Sequence, residues 1–196
     1  MFQVRIHGRG GQGVVTAAEL LSAAAFAGGL WSQAFPSFGS ERTGAPVVAY
    51  CRIDDHEIRT REPVVEPDAL IVQDVTLIHQ VDLFAGLKPE GYVLMNSGRS
   101  FEELGLGDLV LRLPRDHMLN VPATELALKH TGRPVPNAVL LGGLAAVSGV
   151  VPLDAVRDAI TQRFTGSVAE ANVAAAQEAY DFVKNEEGVL AHASPD

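Results

Sequence analysis

The chain has 196 residues, enough for one α/β domain with a sizeable core, and a formal net charge of −9 from 15 basic and 24 acidic side chains. An acidic chain of this kind carries no electrostatic signature of binding to nucleic acid or to an anionic membrane. The single cysteine, Cys51, excludes an intramolecular disulfide. It also excludes an iron–sulfur cluster held by this chain, because such a cluster needs about four thiolates.

The sequence favours a cytoplasmic protein that does not enter a membrane. Its first residues lack the basic segment followed by an apolar core that defines a secretory signal peptide. The longest apolar stretch, residues 138–151, has about 14 residues, whereas a helix needs about 20 to span a bilayer. We therefore predict that this stretch forms a buried helix.

A glycine-rich loop follows the first predicted strand, residues 2–6. The loop has the spacing G-x-G-x-x-G, formed by Gly8, Gly10 and Gly13, with Gly11 as a further residue without a side chain. Glycine permits positive φ and a close approach of a ligand or a second backbone. Residues 14–27 then predict a helix whose first amides favour an anion. Strand, glycine loop and helix in this order form the first unit of a Rossmann-like sheet.

A dinucleotide is nevertheless disfavoured as the ligand of this loop. Such sites place an acidic residue about 20 positions after the loop, at the end of the second strand. After Glu19 the next acid is Glu41, and the predicted second strand, residues 30–35, has no acidic residue at its end. Two interpretations stay open: the glycines allow tight packing of strand against helix, or the loop serves a bound phosphate or a partner surface.

A second polar, glycine-punctuated loop follows that strand, over residues 37–44. Glu41 and Arg42 are the only charged residues between Glu19 and Arg52. Arg42 is suited to hold a phosphate or carboxylate as a bidentate donor. Alternatively, Glu41 and Arg42 pair with each other or with a partner chain.

Further strands and helices alternate along the rest of the chain. Residues 46–53 predict a strand that turns at Asp54 and Asp55 into a partner strand over 56–60, as a hairpin. Residues 69–73 predict a central parallel strand, after which Asp74 and Thr76 cap a helix beginning near Leu77. The remaining pattern predicts strands over 91–95 and 109–113 and helices over 122–130, 137–147, 153–164 and 173–183.

These elements predict an α/β fold, a Rossmann-like open and mostly parallel sheet with helices on both faces. Since no linker is visible, we expect a single domain over residues 1–187 and a mobile C-terminal tail over 188–196. Ligands of open parallel sheets gather at the carboxyl ends of the strands. Residues 8–13, 37–44, 74–76 and 96–97 are therefore expected to converge there.

Several other side chains have structural interpretations. We expect His7 to be a hydrogen-bonded structural histidine, although it lies beside the glycine loop. Cys51 lies in a predicted strand and is expected to be a buried, inert thiol. Trp31, Phe35 and Phe38 surround the second loop and suit either the core or a subunit interface. The other histidines share no spacing typical of a metal site.

The two loops resemble the gamma subunit of 2-oxoacid:ferredoxin oxidoreductases, of the pyruvate enzyme type. The resemblance is carried by residues 5–13, reading RIHGRGGQG, and residues 37–44, reading SFGSERTG. It continues through residues 45–50, 67–74 and 137–144 and covers about residues 2–185. Two matching loops in the same order are more specific than a single glycine fingerprint.

The resemblance implies a multi-subunit enzyme that uses thiamine diphosphate with Mg to decarboxylate a 2-oxoacid. Electrons pass through [4Fe-4S] clusters on other subunits to ferredoxin or a NAD-linked acceptor, and coenzyme A receives the acyl group. The gamma subunit would hold no cluster, no metal and no catalytic residue. It would lie against the catalytic and ferredoxin-like subunits, help to form the coenzyme A side of the site, and have no turnover alone.

By the same resemblance, the cofactor-facing residues are those of the two loops: Gly8, Gly10, Gly11, Gln12, Gly13, Ser37, Phe38, Gly39, Glu41 and Arg42. The substrate would be pyruvate, with 2-oxoglutarate, branched 2-oxoacids, oxalate and aryl glyoxylates as alternatives. A free-standing coenzyme- or nucleotide-binding protein and a purely structural scaffold subunit are the alternative functions.

Overall fold

The computed structural model describes residues 1–37 and 43–193. Within them, six strands form one sheet: β1 (Phe2–Arg9), β2 (Trp31–Pro36), β3 (Pro46–Asp54), β4 (Ala69–Val72), β5 (Tyr92–Asn96) and β6 (Met118–Val121). The helices of the same residues are α1 (Val14–Ala27), α2 (Gly107–Val110), α3 (Ala123–Thr131), α4 (Asn137–Ser148), α5 (Leu153–Arg163) and α6 (Gly166–Ala193). In this part of the chain, no helix is both long and apolar enough to cross a bilayer.

The sheet has the strand order β2-β3-β1-β4-β5-β6. The four neighbouring strands β1, β4, β5 and β6 run parallel. β3 is antiparallel to both of its neighbours, β1 and β2. The predicted fold class, an α/β protein with an open and mostly parallel sheet, is confirmed. β1 lies between β3 and β4, so the glycine loop leaves the middle of the sheet.

The predicted hairpin over residues 46–60 is wrong. β3 pairs along its length with β1, from Phe2 opposite Ile53 to Arg9 opposite Pro46, and with β2 on its other side. Residues 57–60 form no strand. Two neighbours already occupy both edges of β3, and the charged side chains of Glu57 and Arg59 are exposed and bonded to each other.

The predicted strand over residues 109–113 is also wrong, because this segment belongs to α2 and the turn after it. Leu109 and Leu113 are buried four positions apart, whereas Leu111 between them is 85% exposed. That spacing suits a helical turn and not a strand, in which alternate residues share a face. The strand of this region is β6, four residues that follow shortly after Pro114.

The two faces of the sheet carry different layers. The long helices α1 and α3–α6 pack on one face, in a core that includes Val4, Ile6, Ile71 and Leu94. The other face, with Val72 and its neighbours, is covered by α2 and short turns. α4 and α6 approach so closely that a Cβ atom on Gly142 would lie 2.0 Å from a backbone oxygen of α6.

The C-terminal boundary differs from the predicted one. α6 continues to Ala193, so residues 188–193 are helical where a mobile tail was expected. The mobility of this segment stays a prediction, as does the single domain over residues 1–187. Residues 194–196 lie outside the described part of the chain.

Candidate functional site

The glycine loop is shorter than the sequence suggested, because β1 continues through Gly8 to Arg9. The loop proper closes with a hydrogen bond from the Gln12 amide to the Arg9 carbonyl, 3.0 Å long. Gly11 and Gly13 have φ angles of 97° and 72°, a conformation that favours glycine. α1 begins directly afterwards, and no side chain caps its first amides. The loop therefore presents free backbone donors, which suit an anion.

Packing explains two of the glycines as well. A Cβ atom on Gly8 would lie 2.6 Å from Cγ2 of Val14, and one on Gly13 would lie 2.5 Å from Nδ2 of Asn137. By contrast, a Cβ atom on Gly11 would meet no atom within 4 Å. Tight packing thus accounts for Gly8 and Gly13, whereas Gly11 is required only by its backbone conformation.

A polar network ties the glycine loop to the end of β4. The guanidinium of Arg9 donates from Nε to Oδ2 of Asp74 over 3.1 Å and from NH2 to Oγ1 of Thr76 over 2.7 Å. Gln12 donates from Nε2 to the same Asp74 oxygen over 3.0 Å and accepts from the Arg9 amide over 2.7 Å. Asp74 also accepts from the amide of Thr76 over 3.0 Å, which confirms Asp74 as a cap. Thr76, the other predicted cap, lies inside the helical turn, which begins at Val75 and ends at His79.

The electrostatics of Asp74 follow from these contacts. Partial burial raises the pKa of its carboxyl group, but the hydrogen bonds from Thr76 and Gln12 and the charge of Arg9 outweigh burial. The net pKa of Asp74 is therefore below its ordinary value. The carboxylate stays ionised and links the glycine loop to the turn that follows β4.

Three of the four expected segments converge at this edge. The amide of Gly10 donates to the Ala45 carbonyl over 2.9 Å, and the amide of Gly44 donates back to the Gly10 carbonyl over 3.1 Å. The Arg9 guanidinium donates to the Gly44 carbonyl over 3.0 Å. Asn96 reaches the edge only through the backbone carbonyl of Gln73, to which its Nδ2 donates over 2.8 Å.

Of the second-loop residues predicted to face a cofactor, Ser37 lies within the described chain, where it is exposed and donates its amide to the Val48 carbonyl over 2.8 Å. Phe38, Gly39, Glu41 and Arg42 lie outside the described residues, and with them the pairing of Glu41 with Arg42. Ser97, by contrast, accepts from the Arg99 amide and stays apart from the loop.

The expectation of a hydrogen-bonded His7 is wrong. The side chain is 6% exposed, and neither ring nitrogen has a hydrogen-bond partner among the residues that the structure describes. Burial, with a contribution from the charge of Arg5, lowers the pKa of His7 to about 4. Its neighbour Arg5 takes the nearby carbonyls, donating to those of Leu83 and Ala85 over 2.9 and 2.6 Å. His7 is therefore a neutral, buried ring.

Cys51 is fully buried, and burial raises the pKa of its thiol, in line with an inert side chain. Of the aromatic residues expected to surround the second loop, Phe35 lies near the end of β2 that leads into the loop, whereas Trp31 lies at the other end of the strand. Phe35 is half-buried, with its ring centroid 5.1 Å from that of Tyr50 and 5.1 Å from the Arg52 guanidinium. Trp31 is 51% exposed at the β2 edge of the sheet, where a partner could cover it.

Among the described residues, the edge offers hydrogen-bond donors that suit binding. A groove of about 300 Å³ runs along the glycine loop and the first turn of α1, beside Val47. Its donors are backbone amides together with Arg9. Among the described residues, the cluster of metal-ligand type is Asp54, Asp55 and His56, which lies in an exposed turn at the opposite end of β3.

Sequence reasoning placed residues 8–13 and 74–76 at this edge, but it did not predict the pairing of Arg9 with Asp74 or the presence of Gln73 and Asn137. Arg9 and Asp74 form its central ion pair. The buried side-chain amide of Gln73 has no hydrogen-bond partner within the described ranges for either of its polar atoms. Asn137 touches the loop from the start of α4. Arg9 and Asn137 both lie within the segments that carry the family resemblance. That position was the signal in the sequence from which their place at this edge could have been predicted.

Known proteins resemble this chain over almost all of its length. Residues 3–182 match the family described as "Pyruvate ferredoxin/flavodoxin oxidoreductase". Pyruvate synthase subunit PorC of Methanothermobacter thermautotrophicus is 45% identical over 184 residues, which are 94% of this chain and 97% of that protein. The pyruvate/ketoisovalerate oxidoreductases common subunit gamma of Pyrococcus furiosus is 45% identical over 181 residues, 92% of this chain and 96% of the relative.

Solved structures agree with these matches. The pyruvate oxidoreductase subunit PORC of Thermotoga maritima superposes with a TM-score of 0.77 at 36% identity, over 92% of this chain and 95% of that one. A 2-oxoglutarate:ferredoxin oxidoreductase of Magnetococcus marinus, solved with 2-oxoglutarate, coenzyme A and succinyl-CoA bound, shares the fold with a TM-score of 0.66 at 20% identity. In that comparison, 99% of this chain matches 32% of the longer chain.

Proposed function

Because the chain belongs to the pyruvate ferredoxin/flavodoxin oxidoreductase family as a gamma-type subunit, we propose that it is the gamma subunit of a multi-subunit, coenzyme A-acylating 2-oxoacid oxidoreductase. The complex would oxidatively decarboxylate a 2-oxoacid to acyl-CoA and CO2. Thiamine diphosphate with Mg, held by other subunits, would supply the carbanion chemistry, and [4Fe-4S] clusters on other subunits would carry electrons to ferredoxin or a NAD-linked acceptor. A cytoplasmic location belongs to the same proposal, since coenzyme A and ferredoxin are found there.

Pyruvate is the proposed substrate, since the relatives of 45% identity are named as subunits of enzymes for pyruvate and, in Pyrococcus furiosus, for pyruvate and ketoisovalerate. This chain is proposed to contribute binding surface and no catalytic group. In its described residues the glycine-loop edge offers backbone donors and Arg9, and the one buried histidine beside it is neutral. Substrate choice would therefore reside in the partner subunits.

The observation that carries the cofactor-facing role is the arrangement of the glycine loop. Uncapped amides at the start of α1 lie beside Gly11 and Gly13. The main chain of Gly10 forms hydrogen bonds with that of Gly44 and Ala45, where the second loop leads into β3. A phosphate group is the ligand that such amides favour. We assign the coenzyme A side of the site to Gly8, Gly10, Gly11, Gln12, Gly13 and Ser37, together with the second-loop residues Phe38, Gly39, Glu41 and Arg42.

The partner subunits would dock on exposed apolar surface. Among the described residues this surface includes Trp31 at 51% and Phe26 at 71% exposure, which lie toward the end of the sheet opposite the glycine loop. Large exposed aromatic residues are enriched where proteins meet. The alternative of a purely structural scaffold would keep these contacts but leave coenzyme A kinetics independent of the glycine loop.

Anoxic purification of the tagged chain from its own host tests the proposal. We expect a brown complex with larger subunits, identified by mass, that reduces a viologen dye when pyruvate and coenzyme A are both present. A panel of 2-oxoacids in the same assay identifies the substrate. A colourless chain that purifies without partners and without activity would contradict the proposal and favour a free-standing coenzyme-binding protein.

A further inference from the structure

A second cleft lies on the helical side of the glycine loop. It has a volume of about 440 Å³, within the range of small-molecule sites, and is bordered by Gly13, Asn137, Arg133, Arg163 and Ser167. These residues come from four separate places in the chain: the glycine loop, the start of α4, the loop before it, and the junction of α5 with α6. Gly11 also lines the cleft, so two of its residues, Gly11 and Gly13, belong to those assigned above.

Three long helices begin at this cleft. Gly13 precedes α1, Asn137 is the first residue of α4, and Ser167 is the second residue of α6. No side chain caps the N-terminus of α1 or of α4 from the position before the helix. The amides of a first helical turn have no partners inside the helix, and each helix dipole adds about half a positive charge at this end. The cleft is therefore surrounded by partial positive charge.

The charged side chains reinforce this field. The cleft lining contains Arg133 and Arg163 and no aspartate or glutamate, although the chain carries a net charge of −9. Within the described residues, neither of these arginines forms an ion pair with a carboxylate. By contrast, the larger cleft beside β6, with about 610 Å³, is lined by Glu102, Glu125 and Glu186 together with Arg99 and Arg115. The cleft on the helical side thus has a lining whose formal charges are all positive, whereas the lining of the larger cleft has mixed charge.

A buried amide points to a missing acceptor. Asn137 is 4% exposed and borders the cleft. Its Oδ1 accepts from the Ala138 amide over 2.8 Å. Its Nδ2 lies toward Gly13 and has no hydrogen-bond acceptor in the described part of the chain. This nitrogen is not among the fully buried unpaired atoms and borders the open cleft, so an acceptor atom of a ligand bound there would complete its hydrogen bonding.

We propose that this cleft binds a phosphate or diphosphate group of a phosphorylated ligand. The oxygens of the group accept from Asn137 Nδ2 and from the first amides of the converging helices, and Arg133 and Arg163 neutralise its charge. The inference deepens the proposed function, since coenzyme A carries such groups. Its test nevertheless needs only this chain and an inorganic anion.

The test is calorimetric titration of the full chain with inorganic pyrophosphate at low ionic strength. Arg133→Gln and Arg163→Gln each remove one exposed positive charge. Each variant should weaken pyrophosphate binding about 5-fold, which corresponds to about 1 kcal/mol of binding free energy. Asn137→Asp keeps the size and the bond to the Ala138 amide but faces the anion with a carboxylate. We expect it to weaken pyrophosphate binding by more than about 10-fold, since like charges repel strongly at short range.

Arg157→Gln is the matched control, because Arg157 lies on α5 like Arg163 but pairs with Asp154 outside the cleft. It should bind pyrophosphate as the unmodified chain does. Circular dichroism of each variant verifies the fold. Absence of pyrophosphate binding at millimolar concentration, or equal affinity in the unmodified chain and the Arg133→Gln, Arg163→Gln double variant, would overturn the proposal.

Two further titrations identify the source of the phosphate. Competition by coenzyme A, without competition by pantetheine, which has no phosphate, would support coenzyme A as the ligand. If coenzyme A leaves pyrophosphate binding unchanged, the cleft is still an anion site, but its proposed link to coenzyme A is overturned. Co-purification with catalytic subunits is a separate measurement, so failure of the proposed function and failure of this site are distinguishable.

Discussion

Replacing Asp74 by asparagine tests whether the ion pair with Arg9 holds the glycine loop in place. Oδ2 of Asp74 accepts from Arg9 and from Gln12, and Oδ1 accepts from Thr76. Asparagine has one acceptor oxygen, so its NH2 group must face a donor on one side. Hydrogen bonds to charged groups contribute about 1.5–3 kcal/mol each.

Since the Asp74 side chain is 16% exposed, part of this loss is offset by water, and we expect Asp74→Asn to lower the free energy of unfolding by about 2–3 kcal/mol. For a chain of this size the melting temperature should fall by about 4–10 °C. Urea unfolding followed by far-UV circular dichroism measures the difference. Asp154→Asn is the control, because Asp154 is 87% exposed and its pair with Arg157 should be worth about 0.5 kcal/mol or less.

The pH dependence of the same pair of proteins has a defined sign. The folded-state pKa of Asp74 is lowered, so its ionised form stabilises the fold fully above the unfolded-state pKa, near 4. The stability difference between the unmodified chain and Asp74→Asn should therefore be constant near neutral pH and shrink below about pH 4. If Asp74→Asn unfolds at the same urea concentration as Asp154→Asn, the network does not hold the loop and the reasoning is refuted.

Three further predictions follow from the glycines and from the buried histidine. Gly142→Ala should lower the free energy of unfolding by more than about 2 kcal/mol, because its Cβ atom would lie 2.0 Å from a backbone oxygen of α6. The control is Gly107→Ala, which has open space around it and should change the midpoint of urea unfolding little. Gly11→Ala and Gly29→Ala both place alanine at positive φ in open space and should each cost about 1 kcal/mol. In the assembled enzyme only Gly11→Ala should raise the KM for coenzyme A; equal KM values would remove the cofactor-facing role. Because the pKa of His7 is lowered to about 4, the NMR signals of its imidazole should not titrate above about pH 5. The free energy of unfolding should fall as the pH drops from about 6.5 toward 4, since the unfolded chain then binds a proton that the folded chain does not. An NMR titration midpoint near pH 6.5 would contradict the burial argument.

The sequence predicted elements well where one local signal was strong. α1 spans Val14–Ala27 as predicted, because the glycine loop and the turn after the helix mark both of its ends. The cap at Asp74 was also readable, since an aspartate after an apolar strand has a local hydrogen bond to make. By contrast, an apolar run such as residues 109–113 has no period that separates a strand from a helical turn, and burial of Leu109 and Leu113 was decided by tertiary packing.

The site was predictable in outline and not in its contacts. The glycine spacing indicated a backbone-lined loop, and the loop's φ angles agree. Nothing local in the sequence shows that Arg9 reaches Asp74 across 65 positions, or that Asn137 fills the space left by Gly13. Those contacts depend on the strand order, which brings β4 beside β1. The role of the second loop stays a prediction.

The two hydrogen bonds that join Gly10 to residues 44 and 45 have a mechanical consequence. Both are made by main-chain atoms, so ordinary side-chain replacements leave the joint intact. A force applied where β3 begins is therefore transmitted directly to the amides that precede α1. Docking of a neighbour on this strand end would shift the glycine loop with it, so assembly and ligand affinity would respond to the same displacement.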